Sequence, residues 1–232
     1  MIVSCFQLIF DVCCEVLTEN TLRNIFRDVA SAVHHLHQNN IAHLDLKQEN
    51  ILIFHTARNA ATYKITDFGD SAFTYQKFDQ VRGSTVYMSP EILFMKVNRN
   101  KSDNWDDPAE RAKFAYDAAA ADIWQLGVIL YQLAVGTWPL TALDEGDNGL
   151  FTNSLYEHWC SIDSLADSDI LYAELSGVDV ELRDLLVRML TVDPDLRITS
   201  AGIVSHPWLN PRDERILSPA QRIKVHQGRV GI

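Results

Sequence analysis

The run His43-Leu44-Asp45-Leu46-Lys47-Gln48-Glu49-Asn50, followed further on by Asp67-Phe68-Gly69, decides how this sequence is read. Lys47 and Asn50 stand two and five residues after Asp45. In an irregular loop that spacing lets a carboxylate, an ammonium and an amide point into one cavity, and Asp67 closes it from a second segment. Two carboxylates and an amide oxygen suit Mg²⁺, a hard cation that prefers oxygen ligands and keeps several waters. A lysine beside them suits a phosphate, which it meets as a point charge.

The flanks predict the scaffold. Residues 51–54 and 63–65 are short β-prone runs either side of a polar stretch, the pattern of a small hairpin between the two motifs. Before them, residues 18–37 carry Leu22, Ile25, Phe26, Val29, Val33 and Leu36 at helical spacing, with Thr18 as N-cap. Beyond them, Ala118–Val135 is apolar nearly all round, which predicts a helix enclosed by protein. Leu182, Leu185, Leu186, Met189 and Leu190 mark a further amphipathic helix, stopped by Asp193-Pro194 because a residue before proline avoids the α region.

The chain has 232 residues, with 20 Lys and Arg against 31 Asp and Glu for a formal net charge of −11, and 47% of it is apolar. This describes one acidic globular domain that is long enough to hold a core without disulfides or metal. Cys5, Cys13, Cys14 and Cys160 form no Cys-x-x-Cys pair, and imply a reducing, cytoplasmic setting. An acidic balance argues against nucleic acid as a partner, since nonspecific binding needs Lys and Arg to neutralise phosphates. Residues 1–17 lack the basic start and cleavage pattern of a signal peptide, and Asp11 and Glu15 interrupt them. Ala118–Val135 approaches the length of a bilayer span, but Asp122, Gln125 and Gln132 would be costly at membrane depth, so no membrane role is expected. Charge is segregated along the chain: eight charged residues crowd 98–113, an exposed insertion, and ten Asp and Glu with no Lys or Arg occupy 140–182. Five basic residues against two acidic ones follow in 209–232.

The two motifs resemble those of the eukaryotic protein kinases, His43 to Asn50 the catalytic loop His-Arg-Asp-x-Lys-x-x-Asn and Asp67 to Gly69 the Asp-Phe-Gly. Three more matches follow in order. Gly83-Ser84-Thr85-Val86-Tyr87-Met88-Ser89-Pro90-Glu91 is similar to the segment ending in Ala-Pro-Glu, and Asp122-Ile123-Trp124-Gln125-Leu126-Gly127 to the Asp-x-Trp-Ser-x-Gly opening of a large buried helix. Asp193-Pro194 through Arg197, with His206-Pro207-Trp208, is similar to the closing motifs. The resemblance covers residues from about 10 to 209, so the domain is set at 1–209, with a basic C-terminal tail at 210–232.

The resemblance implies a mainly α, protein-kinase-like C-terminal lobe with a short β-hairpin at the active-site face. It implies ATP and Mg²⁺ as cofactors and a protein hydroxyl as acceptor. Asp45 would orient that hydroxyl, Lys47 would stabilise the transferring phosphoryl group, and Asn50 and Asp67 would hold Mg²⁺. Leu52 would lie under the adenine, and His43 and Phe68 would stack between the lobes. Glu91 and Arg197 would form a buried ion pair, and Asp122 would brace the catalytic-loop backbone. Lys47 is the form seen in serine/threonine kinases, where tyrosine kinases usually have Ala or Arg nearby.

There are departures. A complete kinase opens with a Gly-rich loop, a strand Lys and a helix Glu, and none precedes residue 18 here. As written, the sequence is expected to be a C-terminal lobe whose own catalysis is severely impaired and whose exposed upper face takes a partner. Leu44 stands where regulated kinases have an Arg that meets an activation-segment phosphate, and Ser71, Thr74 and Tyr75 are not at the usual distance before Gly83. The acidic 140–182 region borders the peptide groove in this family and implies basic substrates. Two classes of function follow: an active serine/threonine kinase whose upper lobe lies elsewhere, or a pseudokinase or truncated scaffold that binds proteins.

Overall fold

The computed structural model describes residues 2–4, 18–55, 61–99, 101–139, 148–163, 166 and 169–211. Helix α1 (Glu19–Gln38) starts where Thr18 Oγ1 accepts the Thr21 N–H at 3.2 Å, with Glu19 in its first turn and His35 and His37 in its last. Leu22, Ile25, Phe26, Val29, Ala30 and Val33 form its buried stripe. The predicted N-cap and face are both found.

At the centre lies α4 (Ala118–Val135), capped by Asp117 Oδ1, which accepts the Ala119 and Ala120 N–H groups at 2.9 and 3.1 Å. Among the described residues it is the one helix long and apolar enough to cross a membrane, but 72% of it is buried inside the protein. It packs on α1 and on α7 (Val180–Met189). At Gly127 a Cβ would lie 3.0 Å from Leu190 Cδ2 and 3.1 Å from Met189 Cβ, so the missing side chain sets how closely α4 and α7 approach. Helix α7 ends at Met189, before Asp193-Pro194 is reached, as Leu190 leaves the helical region at φ −98°, ψ 39°, and the N–H groups of Leu196 and Arg197 then turn back onto the Asp193 carbonyl.

The hairpin is present and longer than the sequence pattern predicted. Strands β3 (Ile51–His55) and β4 (Ala61–Ile65) pair antiparallel with Ile51 opposite Ile65, and β1 (Ile2–Ser4) adds to β3 to give the order β1-β3-β4. Two further short strands, β2 (Ile41–Ala42) and β5 (Ala72–Phe73), pair antiparallel. Backbone pairing, rather than side-chain alternation, defines these extensions, so periodicity does not reveal them.

The 98–113 insertion is exposed, as expected, and partly helical. Helix α2 (Pro90–Arg99) runs into it, and α3 (Pro108–Ala112) forms inside it, capped by Asp107 Oδ1 on the Ala109 N–H at 2.9 Å. Trp105 and Phe114 rings lie 5.5 Å apart, and Phe114 reaches Phe94 of α2 at 5.6 Å, which ties the insertion to the domain. Helices α5 (Asn148–Cys160), α6 (Asp169–Glu174) and α8 (Ser200–Val204) complete the described elements, with α5 packed on α2. Of the cysteines, Cys160 is free and exposed, and the other three lie outside the described residues, as do most of residues 1–17 and all but the start of the tail.

The expected ion pair closes this fold. Arg197 meets Glu91 through two bonds, of 2.7 and 3.0 Å, and also donates to the carbonyls of Ala120, Thr191 and Val192. Its side chain is fully buried. Arg197→Met would strand the Glu91 charge, and we expect a loss of about 3–5 kcal/mol in urea unfolding. A loss below about 1 kcal/mol would contradict this role.

Candidate active site

The catalytic-loop backbone hangs from α4. Asp122, fully buried, accepts the His43 N–H at 2.8 Å and the Leu44 N–H at 2.7 Å, and His37 Nε2 bonds the same carboxylate at 2.9 Å. One turn along, Gln125 takes the next groups: its Oε1 accepts the Leu46 N–H at 2.8 Å and its Nε2 donates to the Leu44 carbonyl at 2.9 Å. Between these clasps Leu44 adopts φ +65°, a region that costs a β-carbon residue energy and persists only where its surroundings enforce it. Gly83 passes against the same backbone at φ +89°. A Cβ there would sit 2.6 Å from the Leu44 carbonyl oxygen, so only glycine fits.

Asp45 projects from this support into a dense polar cluster. Its Oδ1 accepts both the Ser84 N–H and the Ser84 hydroxyl at 3.0 Å, and its Oδ2 accepts Lys47 Nζ at 2.6 Å. Lys47 Nζ also lies 3.2 Å from Ser84 Oγ. Burial pulls the Lys47 pKa down, but the hydrogen bond and charge of Asp45, with Glu49 and Asp67, hold it above the ordinary lysine value. Lys47 is therefore a cation throughout the physiological range.

Asn50 closes the turn Gln48–Asn50 and donates its side-chain N–H to the Asp45 carbonyl at 2.9 Å, leaving Oδ1 as its ligand atom. The Thr66 N–H bonds the Asn50 carbonyl at 2.9 Å and so brings Asp67 beside it. Asp67 sits at φ +63° with an exposed carboxylate, which accepts the Gly69 N–H at 3.3 Å. An amide oxygen and a carboxylate, both neutral or anionic oxygen donors, fit a hard cation. His43 donates Nε2–H to the Thr66 carbonyl at 3.0 Å, leaving Nδ1 to accept the Asp45 N–H at 3.3 Å, and its ring lies 5.0 Å from Phe68. Leu52 is half-buried between the buried Ile51 and Ile53, so it faces the opposite side of β3 from the core. All five predicted site residues, Asp45, Lys47, Asn50, Leu52 and Asp67, thus lie in or beside one connected region.

The segment between Asp67 and Ser84 is held by backbone pairing, hydrogen bonds and ion pairs. Phe78 and Tyr116 exchange backbone bonds of 2.8 and 3.0 Å, and the Tyr116 hydroxyl donates to the Gln80 carbonyl at 2.9 Å. Arg111, from the insertion, bonds Asp79 at 3.3 Å, and Arg82 lies 3.6 Å from Asp70. The Ser71 hydroxyl is already used on the Phe68 carbonyl at 2.6 Å. Leu44 is wholly buried and offers no charge to this segment.

The family described as "Protein kinase domain" matches residues 4–209, and this chain belongs to it. Among curated relatives, it is 33% identical over 201 residues to the probable serine/threonine-protein kinase fhkA of Dictyostelium discoideum, covering 84% of this chain and 33% of that protein. It is 30% identical over 218 residues to calcium-dependent protein kinase 17 of Arabidopsis thaliana, covering 90% of this chain and 35% of the relative. It is 32% identical over 211 residues to the calcium/calmodulin-dependent protein kinase type II alpha chain of Drosophila melanogaster, covering 90% and 34%. The chain spans about a third of the length of the curated relatives it matches.

Two functional contributions go beyond what the sequence predicted. Ser84 stands there only as one member of the segment that ends in Pro90-Glu91, yet it makes two bonds to Asp45 and one to Lys47. Gln125 reads as a break in an apolar helix, and the only signal was its position three residues after Asp122, on the same helical face. Gln125→Leu would leave the Leu46 N–H and Leu44 carbonyl without partners in a dry interior. We expect the Leu46 amide to exchange hydrogen at least about tenfold faster in that variant, by local opening rather than global unfolding. Unchanged exchange would contradict the role assigned to Gln125.

Proposed function

We propose that this chain carries the acceptor-binding and metal-binding half of a serine/threonine protein kinase, which transfers the γ-phosphoryl group of ATP to a protein hydroxyl. The observation that supports it most is the Asp45 carboxylate held by Ser84 and Lys47, an arrangement that fixes its direction. Asp45 accepts the hydrogen bond of the incoming hydroxyl and points its oxygen at the phosphorus. Lys47, kept cationic by its acidic neighbours, offsets negative charge on the transferring group. Asn50 Oδ1 and the Asp67 carboxylate would hold Mg²⁺, which would supply positive charge to offset that of the phosphates. Leu52 supplies apolar floor under the adenine. Positioning and electrostatics do the rest, since phosphoryl transfer asks little covalent chemistry of the protein.

The substrate in this reading is a protein segment with basic residues in its flanks. The acidic 140–182 region supports this, because α5 within it packs on α2, the helix that follows the Ser84 segment. The face above the site, where Phe68 is 46% exposed and Phe73 and Tyr75 are 58% and 69% exposed, is proposed to receive a complementary surface. Neither nucleic acid nor membrane enters this reading. A reducing, cytoplasmic setting accords with the cysteine pattern.

Transfer of label from γ-labelled ATP to serine, threonine and tyrosine peptides tests this reading. Label is expected on serine or threonine, slowly because this chain carries only half of the site, in a Mg²⁺-dependent way, and Asp45→Asn lowers that kcat by about 10²–10⁴-fold with little change in the KM for ATP. Equal transfer by the Asp45→Asn chain, or transfer to tyrosine alone, would overturn it. In a positional peptide library, Arg or Lys is expected to be enriched at flanking positions, and no enrichment would remove the basic-substrate part.

A further inference from the structure

Lys96 lies in α2, beside the ridge that leads away from Asp45. Its Nζ donates to Thr85 Oγ1 at 2.7 Å, and Thr85 directly follows Ser84, the residue bonded twice to Asp45. Through the backbone of Ser84 and Thr85, the residue that holds Asp45 is thus directly joined to the one that holds the Lys96 ammonium. The ridge is accessible: Ser84 and Thr85 are half-buried, and Val86 is 39% exposed.

Lys96 differs from Lys47 in the company it keeps. Lys47 is flanked by Asp45, Glu49 and Asp67. Lys96 is half-buried, and among the described residues its hydrogen-bond partner is a neutral hydroxyl, with no carboxylate in ion-pair reach. Burial lowers its pKa, and among the described residues no neighbouring acid restores it. Such an ammonium has given up water without gaining an anion, and it gains most from a carboxylate that arrives with a ligand.

We propose that Lys96, steadied by Thr85, is a specificity-determining residue that reads an acidic side chain one or two residues from the acceptor serine or threonine. Thr85 follows the Ser84 that holds Asp45, and an extended peptide advances about 3.3 Å per residue, so the side chain read in this proposal belongs to a near neighbour of the residue held at Asp45. The inference rests on the reading of Asp45 as the acceptor-binding group. It adds a local acidic requirement inside the basic flanks proposed above, because the two charges on the protein, the 140–182 region and Lys96, are of opposite sign and lie on different elements.

The test is fluorescence anisotropy of labelled serine peptides on the full 232-residue chain, without ATP. The peptides carry Glu, Gln or Lys at one and at two positions on either side of the serine, within a constant basic frame. At one of these positions Glu is expected to bind about tenfold more tightly than Gln, and Lys more weakly than either. Lys96→Arg keeps the preference, Lys96→Met erases it and Lys96→Glu reverses it towards Lys. The preference shrinks as salt rises from 0.05 to about 0.5 M, as expected for a partly exposed ion pair. Equal affinity for the Glu and Gln peptides, a preference that survives in Lys96→Met, or no binding of any peptide would overturn the proposal. Labelled-phosphate transfer separates the two claims. Transfer without a Glu preference counts against Lys96 alone, and a Lys96-dependent preference without transfer counts against the kinase activity.

Discussion

Everything at this site depends on one buried carboxylate. Asp122 sits in the middle of the protein on its most enclosed helix, and burying a charge there is costly unless hydrogen bonds replace its water. Three donors do so: the backbone N–H groups of His43 and Leu44, and the imidazole of His37. Because two of the three are catalytic-loop backbone, the carboxylate can be satisfied only if the loop takes this one shape, including Leu44 at φ +65°. The desolvation cost of a core residue is thereby turned into rigidity at the reacting end. Gln125 extends the constraint by one turn, and Asp45 inherits its direction from both.

Leu44 gives this arrangement a particular character. The position lies between the two clasps, fully buried, and its side chain contributes apolar contact rather than charge. The segment from Asp67 to Ser84 is held instead by the Phe78–Tyr116 backbone pair, the Tyr116 hydroxyl and the Arg111–Asp79 contact. Burial pushes the Tyr116 phenol far above its ordinary pKa, so it stays a neutral donor to the Gln80 carbonyl at any physiological pH. An insertion that looks like surplus in the sequence thus provides one of the fixings of the segment that carries Ser84.

Much of the site was legible because its chemistry is local in sequence. Asp45, Lys47 and Asn50 lie within six residues, and Thr18, Ala118–Val135 and the α7 stripe announce themselves by capping chemistry and periodicity. The resemblance to the kinase family was enough to anticipate Asp122 and the Glu91–Arg197 pair. What was not legible depends on distant partners. Leu46 and Gln125 are 79 residues apart, Asp45 and Ser84 are 39 apart, and nothing in either local pattern names the other. The two-residue strands β2 and β5 have no period to detect, and the Lys96–Thr85 contact follows only from how α2 folds back on the ridge.

The central claim is that a loop clamped to the core by Asp122 and Gln125 presents Asn50 and Asp67 as a working receptor for Mg²⁺ and ATP. Calorimetric titration of ATP into the purified chain, with and without Mg²⁺ and beside an Asp67→Ala chain, tests it most directly. The account predicts one-to-one binding that requires Mg²⁺ and is abolished by Asp67→Ala, with both chains folded by circular dichroism. No binding to the folded native chain, or equal binding in the absence of Mg²⁺ or of Asp67, would contradict it.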